Sequence, residues 1–209
     1  YLHLGIMSPI KRKSLPEIAK IVSIKSAQSL HHFIANSDWS VNKVKGRRLE
    51  KIKRALNGRE ITVVIDETGD RKKGKKTDYV ARQYLGSVGK IDNGIVSVNA
   101  YGVYSNITFP LSLKVRQYKQ ELGWTDYRFT NFSHIEKWWE IIFCVYTMIS
   151  LNFKAFLSLN QSTPIEQEIL KRNSEKFSNH EQWNQQNGWK NTLNNLRLII
   201  QPLILFWLI

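Results

Sequence analysis

Residues Val63, Val64, Ile65, Asp66, Glu67, Thr68, Gly69 and Asp70 bring a run of β-branched side chains directly up to a group of acids. A carboxylate delivered at the end of a buried strand suits a hydrated Mg²⁺ or Mn²⁺, because the strand fixes the side chain while the following loop keeps it wet. Asp66 is the candidate ligand. One acid is not sufficient for two-metal phosphoryl transfer, in which several carboxylates hold two cations about 4 Å apart. One cation activates the attacking oxygen and the other stabilises the leaving one. The plainer reading, in which Asp66 caps the turn after its strand, stands beside this one.

Immediately downstream, Gly69 to Thr77 nearly matches the phosphate-binding loop G-x-x-x-x-G-K-[ST], and it follows a strand as that motif requires. Three features oppose a nucleotide site. Lys76 stands where the hydroxyl residue should be, Asp66 and Asp70 would repel a triphosphate, and the pattern that follows is a strand rather than a helix N-terminus. Arg71, Lys72, Lys73, Lys75 and Lys76 read more naturally as a basic loop meeting a DNA backbone near the carboxylate. Among the histidines, His31 and His32 are adjacent and so face different sides of a helix, while His3, His134 and His180 show no ligand spacing. The single cysteine, Cys144, excludes an internal disulfide and reads as core.

The chain has 209 residues, enough for one core plus a small accessory unit, and carries 31 Lys and Arg against 17 Asp and Glu. A formal net charge of +14 favours a polyanionic partner, nucleic acid first. A membrane is the rival polyanion. The most apolar segment, Leu196 to Ile209, is too short to span and is interrupted by Arg197, Gln201 and Pro202, so it reads as a buried helix. No signal peptide is apparent, and the expected location is cytoplasmic, in association with the nucleoid. A first residue of Tyr1 suggests a fragment or shortened reading frame, with Met7 an alternative start.

Three regions must position these groups. Residues 1–60 read as helical and basic, with 13 Lys and Arg against 4 acids. Ser14 to Glu17 forms a capping box with proline in the first turn, Ser26 caps a second helix through Leu30, Phe33 and Ile34, and a third runs from Val41 to Leu56. The first two permit a helix-turn-helix, and the third gathers Lys43, Lys45, Arg47, Arg48, Lys51, Lys53 and Arg54, either a DNA-facing surface or a solvated face. Residues 61–151 begin with strands. Ile61 to Ile65 reads as a strand buried on both faces and ending on Asp66, followed by a loop from Glu67 to Asp78. Strands from Tyr79 to Leu85 and Ile95 to Val103, with a fourth from Thr108 to Val115, complete an antiparallel meander. Ser133 to Glu136 reads as a capping box for an apolar core helix to about Leu151. Residues 152–209 combine a polar loop, rich in Asn, Gln and Ser up to Asn191, with an apolar helix from Trp189 to Ile209.

The stretch from Val64 through Asp66, Asp70 and Gly74, with Tyr79 to Gly86 and Gly89 to Gly94, resembles insertion-sequence transposases of the DDE class, which have a ribonuclease-H-like catalytic core. Glu121 to Phe129 and Glu136 to Glu140 resemble a later part of the same proteins, and residues 1–60 their N-terminal region. The resemblance implies an α/β (α+β) chain with a truncated ribonuclease-H-like core, preceded by a basic helical region and followed by apolar helices. It makes Asp66 the first catalytic and metal-binding aspartate, with Mg²⁺ or Mn²⁺ as cofactor and the DNA ends of the element as partner.

The departures from that family are as informative. Its third carboxylate belongs to a Tyr, Arg, Glu and Lys signature. With the lysine placed on Lys119, Ser112 falls where the glutamate should be, Thr108 replaces the arginine and Ser105 the tyrosine. Only 53 residues separate Asp66 from Lys119, which leaves no room for the strand bearing the second aspartate. The expectation is an internal deletion near residues 111–117, an under-covered, aggregation-prone sheet and no strand cleavage or transfer. DNA binding is assigned to Lys43, Lys45, Arg47, Arg48, Arg71, Lys72, Lys73, Lys75, Lys76 and Lys119, and homo-oligomerisation is left open. Two alternatives remain: a basic nucleic-acid-binding protein with no catalytic role, and a nuclease recruiting Glu67, Asp70 or Asp92 as substitute ligands.

Overall fold

A computed structural model describes residues 1–72, 76–114, 129–152, 180–186 and 188–206. Four helices come first: α1 (Leu2–Met7), α2 (Leu15–Ile21), α3 (Ala27–Ala35) and α4 (Val41–Leu56). The strands β1 (Thr62–Arg71), β2 (Ala81–Leu85), β3 (Lys90–Tyr104) and β4 (Ile107–Lys114) follow, then α5 (Phe132–Leu151) and α6 (Trp189–Phe206). This is the mixed helical and antiparallel architecture expected of an α+β core.

Local chemistry explains most boundaries. The Ser26 hydroxyl accepts the Gln28 backbone N–H at 3.1 Å, and Ser40 accepts that of Lys43 at 3.3 Å, satisfying donors that the first turns of α3 and α4 would leave orphaned. Asn57 closes α4 in the left-handed region (φ 49°) and Gly58 continues it (φ 77°). Two caps differ from expectation. Ser14 precedes α2 without a side-chain capping bond, and Pro16 with the acidic Glu17 favours the first turn. Asn131 caps α5 instead of Ser133, its Oδ1 accepting the Ser133 N–H at 2.9 Å and hydroxyl at 2.7 Å, so α5 starts before the anticipated residue. Helix α1 was not foreseen. Only six residues long, it rests on packing, and Gly5 lets it approach α2 so closely that a Cβ there would sit 2.4 Å from Ile18 Cγ2.

Helix α5 is the centre of the core. Its Trp138, Trp139, Ile142, Val145 and Ile149 are buried against Leu2, Ile6, Ile18, Leu30 and Ile34 of the first three helices, and Leu193 of α6 joins the cluster. A second cluster unites Ile52, Ala55 and Leu56 of α4 with Ile107 and Phe109 of β4. Gly102 on β3 leaves room for the Phe109 ring, since a Cβ would fall 2.3 Å from it. Between the clusters, Arg48 of α4 and Glu140 of α5 form an ion pair at 2.6 Å with side chains only 2% and 5% exposed. The guanidinium also donates to the Pro110 and Leu111 carbonyls of β4 and lies 5.0 Å from the centre of the Phe143 ring. Cys144 sits alongside, half-buried. Burial, and next the Glu140 carboxylate, push its thiol up to about 12.

The sheet departs from expectation at β1. All pairings are antiparallel, but β1 pairs with β3, while β2 and β4 share the other edge of that long strand; Gly94, for example, faces Arg71 on one side and Ala81 on the other. β1 does not end on Asp66; the ladder continues to Arg71, shortening the anticipated loop. Nor is β1 buried on both faces, for Val63, Val64 and Ile65 are 52%, 44% and 70% exposed. The physical reason is placement. The helices pack at the β4 side through α4 and α5; Leu85 of β2 lies against Gly69 at the far end of β1, but no described helix packs over Val63 to Ile65. Most of the polar segment anticipated after α5 lies outside the described residues. Within them, no helix is long and apolar enough to cross a membrane.

Two consequences are measurable. Removing one member of a buried pair strands the other charge, so Arg48→Met or Glu140→Gln should each lower stability by about 3–5 kcal/mol in urea unfolding, and the double apolar replacement should recover much of the loss. A thiol whose folded pKa is raised stabilises fully below its unfolded value near 8.5, and the contribution disappears as pH rises through the folded value. Iodoacetamide should therefore modify Cys144 far more slowly in the folded chain at pH 8 than in urea.

Candidate nucleic-acid interface and carboxylate site

Helix α4 owes its basic surface to its amphipathic spacing. Ile52, Ala55 and Leu56 point inward, leaving Lys43, Arg47, Lys51, Lys53 and Arg54 exposed and Lys45 half-buried. Arg54 pairs with Glu50 one turn back, which partly neutralises that end. Arg48 does not belong to this surface. Its place is on the buried stripe, and its guanidinium is enclosed by Glu140 and two carbonyls of β4, so it is unavailable to a phosphate. Helices α2 and α3 do pack as a pair joined by a short turn, with Ser23 in the left-handed region. The exposed face of α3 offers Gln28, Ser29, His31 and His32 and no Lys or Arg, so the cationic face of this region is that of α4.

The loop after β1 contributes less than its composition suggests. Arg71 pairs with Asp92 at 2.8 Å, and the Lys72 backbone N–H bonds to the Asn93 carbonyl, extending the ladder by one residue. Lys76 is exposed, whereas Lys73, Lys75 and Lys119 lie outside the described residues. Gly69 and Arg71 are strand residues, so the near-match to a phosphate-binding loop has no loop where the motif would begin.

Asp66 stands in mid-strand, exposed, and its cross-strand partner is Asn99 of β3. Among the described residues, its carboxylate accepts a hydrogen bond from the Thr68 hydroxyl alone, at 3.5 Å. Asn99 is 1% exposed and donates to the Ser97 hydroxyl at 3.0 Å, but its Oδ1 has no partner among the described residues. Strand alternation puts Glu67 on the opposite face, and Asp70 lies four residues further along, about 13 Å at the usual strand rise. Asp92 is engaged with Arg71. Among the described residues, no three His, Cys, Asp or Glu side chains come together in a way that could hold an ion. One carboxylate and one neutral amide oxygen do not make a centre for two hard cations, so the described residues do not by themselves fit the metal pair that two-metal phosphoryl transfer requires. Ser105, Thr108 and Ser112, the positions that the signature would take with its lysine at Lys119, lie in the β3–β4 turn and on β4. Thr108 is bonded to the Tyr146 hydroxyl at 2.8 Å.

The sequence relationships fit this frame. Residues 1–120, which include α1–α4, the whole sheet and Asp66, match the family model described as DDE superfamily endonuclease. The chain belongs to that family. It is also similar to a protein of Microchaete diplosiphon described as a probable transposase for insertion sequence element IS701, with 55% identity over 122 residues. That match covers 58% of this chain and 32% of the relative, so the chain spans about a third of the relative's length. No solved structure matches. DDE endonucleases in general use divalent metals. Residues 121–140, whose sequence resembles a later part of transposases, lie beyond the matched range.

Sequence reading missed the role of Arg48 and its partner. The signal was present: Arg48 shares the helical stripe of Ile52, Ala55 and Leu56, and Glu140 interrupts the apolar run from Trp138 to Phe143. An exposed carboxylate with no cationic partner contributes little to the fold. Asp66→Asn should therefore change urea stability by less than about 0.5 kcal/mol. Calorimetric titration with Mn²⁺ should give the same result for the variant and the parent.

Proposed function

We propose that this chain is a transposase-derived DNA-binding protein that neither cleaves nor transfers DNA strands. The observation that carries this reading is the isolation of Asp66. An exposed acid at the family's first catalytic position, with no second or third acid converging on it among the described residues, supplies neither metal affinity nor stabilisation of transition-state charge. In this reading residues 1–60 form the DNA-binding region, residues 61–151 a partial ribonuclease-H-like core with a deletion near 111–117, and residues 152–209 a C-terminal segment. The strand setting of Thr108 and Ser112, in place of the signature arginine and glutamate, supports such a deletion. The binding surface is the exposed side of α4, with Lys43, Arg47, Lys51 and Lys53, and the partner is DNA of the element ends in the bacterial cytoplasm. The bare apolar segment of β1 makes the protein prone to self-association.

Two measurements test this. Supercoiled DNA carrying the element ends, incubated with Mg²⁺ or Mn²⁺, should show no nicking; nicking that disappears in Asp66→Ala would defeat the reading. Duplex binding should weaken with salt, and replacing Lys43, Arg47 and Lys51 with alanine should flatten the slope of log K against log[salt] by roughly 0.9 per cation removed. Preference for the element ends over random duplex supports a transposase origin of the binding, whereas preference for RNA favours a general nucleic-acid-binding role.

A further inference from the structure

A cavity of about 370 Å³ opens where α2, α3 and α5 meet, apart from both the α4 surface and Asp66. Its walls include Arg12 and Lys13, which precede α2, Gln28 and His31 of α3, Phe129, and Trp138 of α5. These side chains combine three recognition chemistries. Trp138 is 1% exposed and its indole N–H has no partner among the described residues. The indole nitrogen only donates, and a buried donor left unpaired is costly, so an acceptor brought by a ligand would satisfy it. The rings of His31 and Phe129 lie 5.4 Å apart, tilted by 36°, and give the wall flat aromatic surface. Positive charge is built in, because the buried Lys13 ammonium is anchored to the Ser8 and Ile10 carbonyls and the Arg12 side chain beside it is exposed.

An apolar flat surface, one buried donor and a fixed cation together fit a planar base carrying a phosphate. The volume lies at the small end of the range for ligand sites, suited to one nucleotide rather than a stretch of strand. We propose that this cavity binds a single unstacked nucleotide. The base rests against His31, Phe129 and Trp138, its acceptor facing the Trp138 N–H, and the phosphate lies towards Arg12 and Lys13. Stacking on aromatic rings and contact with cationic side chains are the general means by which proteins hold unpaired bases. The proposal relies on the DNA-binding reading only for the source of the nucleotide, which would be an unpaired position in a DNA strand rather than a free mononucleotide.

The test uses the full chain and three probes: a fully paired duplex, the same duplex with one unpaired adenosine, and free deoxyadenosine monophosphate. Fluorescence anisotropy should show the unpaired site bound about tenfold more tightly than the paired duplex. Trp138→Phe keeps the ring and removes the donor, and Arg12→Ala alters an exposed side chain that the fold does not need. Each should cut that preference severalfold, while Trp138→Phe leaves affinity for the paired duplex unchanged. Should Trp138→Phe fail to fold, as judged by thermal unfolding, Arg12→Ala decides. Equal affinity of the parent for both duplexes, or full preference in both variants, overturns the proposal. Mononucleotide binding that both variants weaken, in a chain that binds neither duplex, supports the cavity and sinks the DNA-binding reading instead.

Discussion

The ion pair between Arg48 and Glu140 is the constraint around which the described structure is organised. Two charges withdrawn from water are tolerable only when paired and hydrogen-bonded, and this pair also takes up two carbonyls of β4. Three elements distant in sequence are thereby held in one geometry: α4, the last strand of the sheet, and the central helix α5. The apolar clusters on either side do not specify register so sharply, because aliphatic surfaces slide with little penalty whereas a fork of guanidinium donors does not. With β4 fixed to the helices, every other strand takes its position from β3, and β1 is placed at the side away from the helical layer.

How much of this was legible in the sequence depended on the range of the physics involved. Ser26 announced α3 because capping is settled within four residues, and the spacing of Val41, Ile52 and Leu56 announced α4, whose Ser40 cap the sequence reading did not name. The hairpins on both sides of β3 were legible for the same reason, though the boundaries of β1 were not. The run from Ile61 to Ile65 has the composition of a strand buried on both faces, yet composition records only a tendency. Whether the strand is covered depends on where helices from other parts of the chain are placed. Arg48 illustrates the complementary error. A cation among six others on one helix reads as surface until its phase against Ile52 and Leu56 is considered, and its partner lies 92 residues away.

The setting of the candidate carboxylate was not legible. Asp66 falls within the range of the family match, but its environment is that of an open strand rather than a strand end. A strand end lets ligands converge from the loops around it. Mid-strand, the nearest side chains are fixed by the ladder, and on this face they are Asn99 across the pair and Thr68 two residues on. Those neighbours are neutral, so they do not bind a hard cation strongly.

The bareness of β1 and the isolation of Asp66 are therefore one structural fact. On its paired side, β1 faces β3, which offers Asn99 and Ser97 at the level of the carboxylate. A second acid would have to come from an element lying along the other edge of β1 or across its face. An element across that face would also cover Val64, which strand alternation places beside Asp66, whereas Val63 and Ile65 point to the other face. Val64 is exposed, so no described element occupies that space, and the same absence leaves the aspartate without companions among the described residues. The cationic helix α4 does not depend on that side of the sheet, since its apolar stripe packs with β4 and its Arg48 is held by α5. An open β1 and a well-packed cationic helix can thus coexist in one fold.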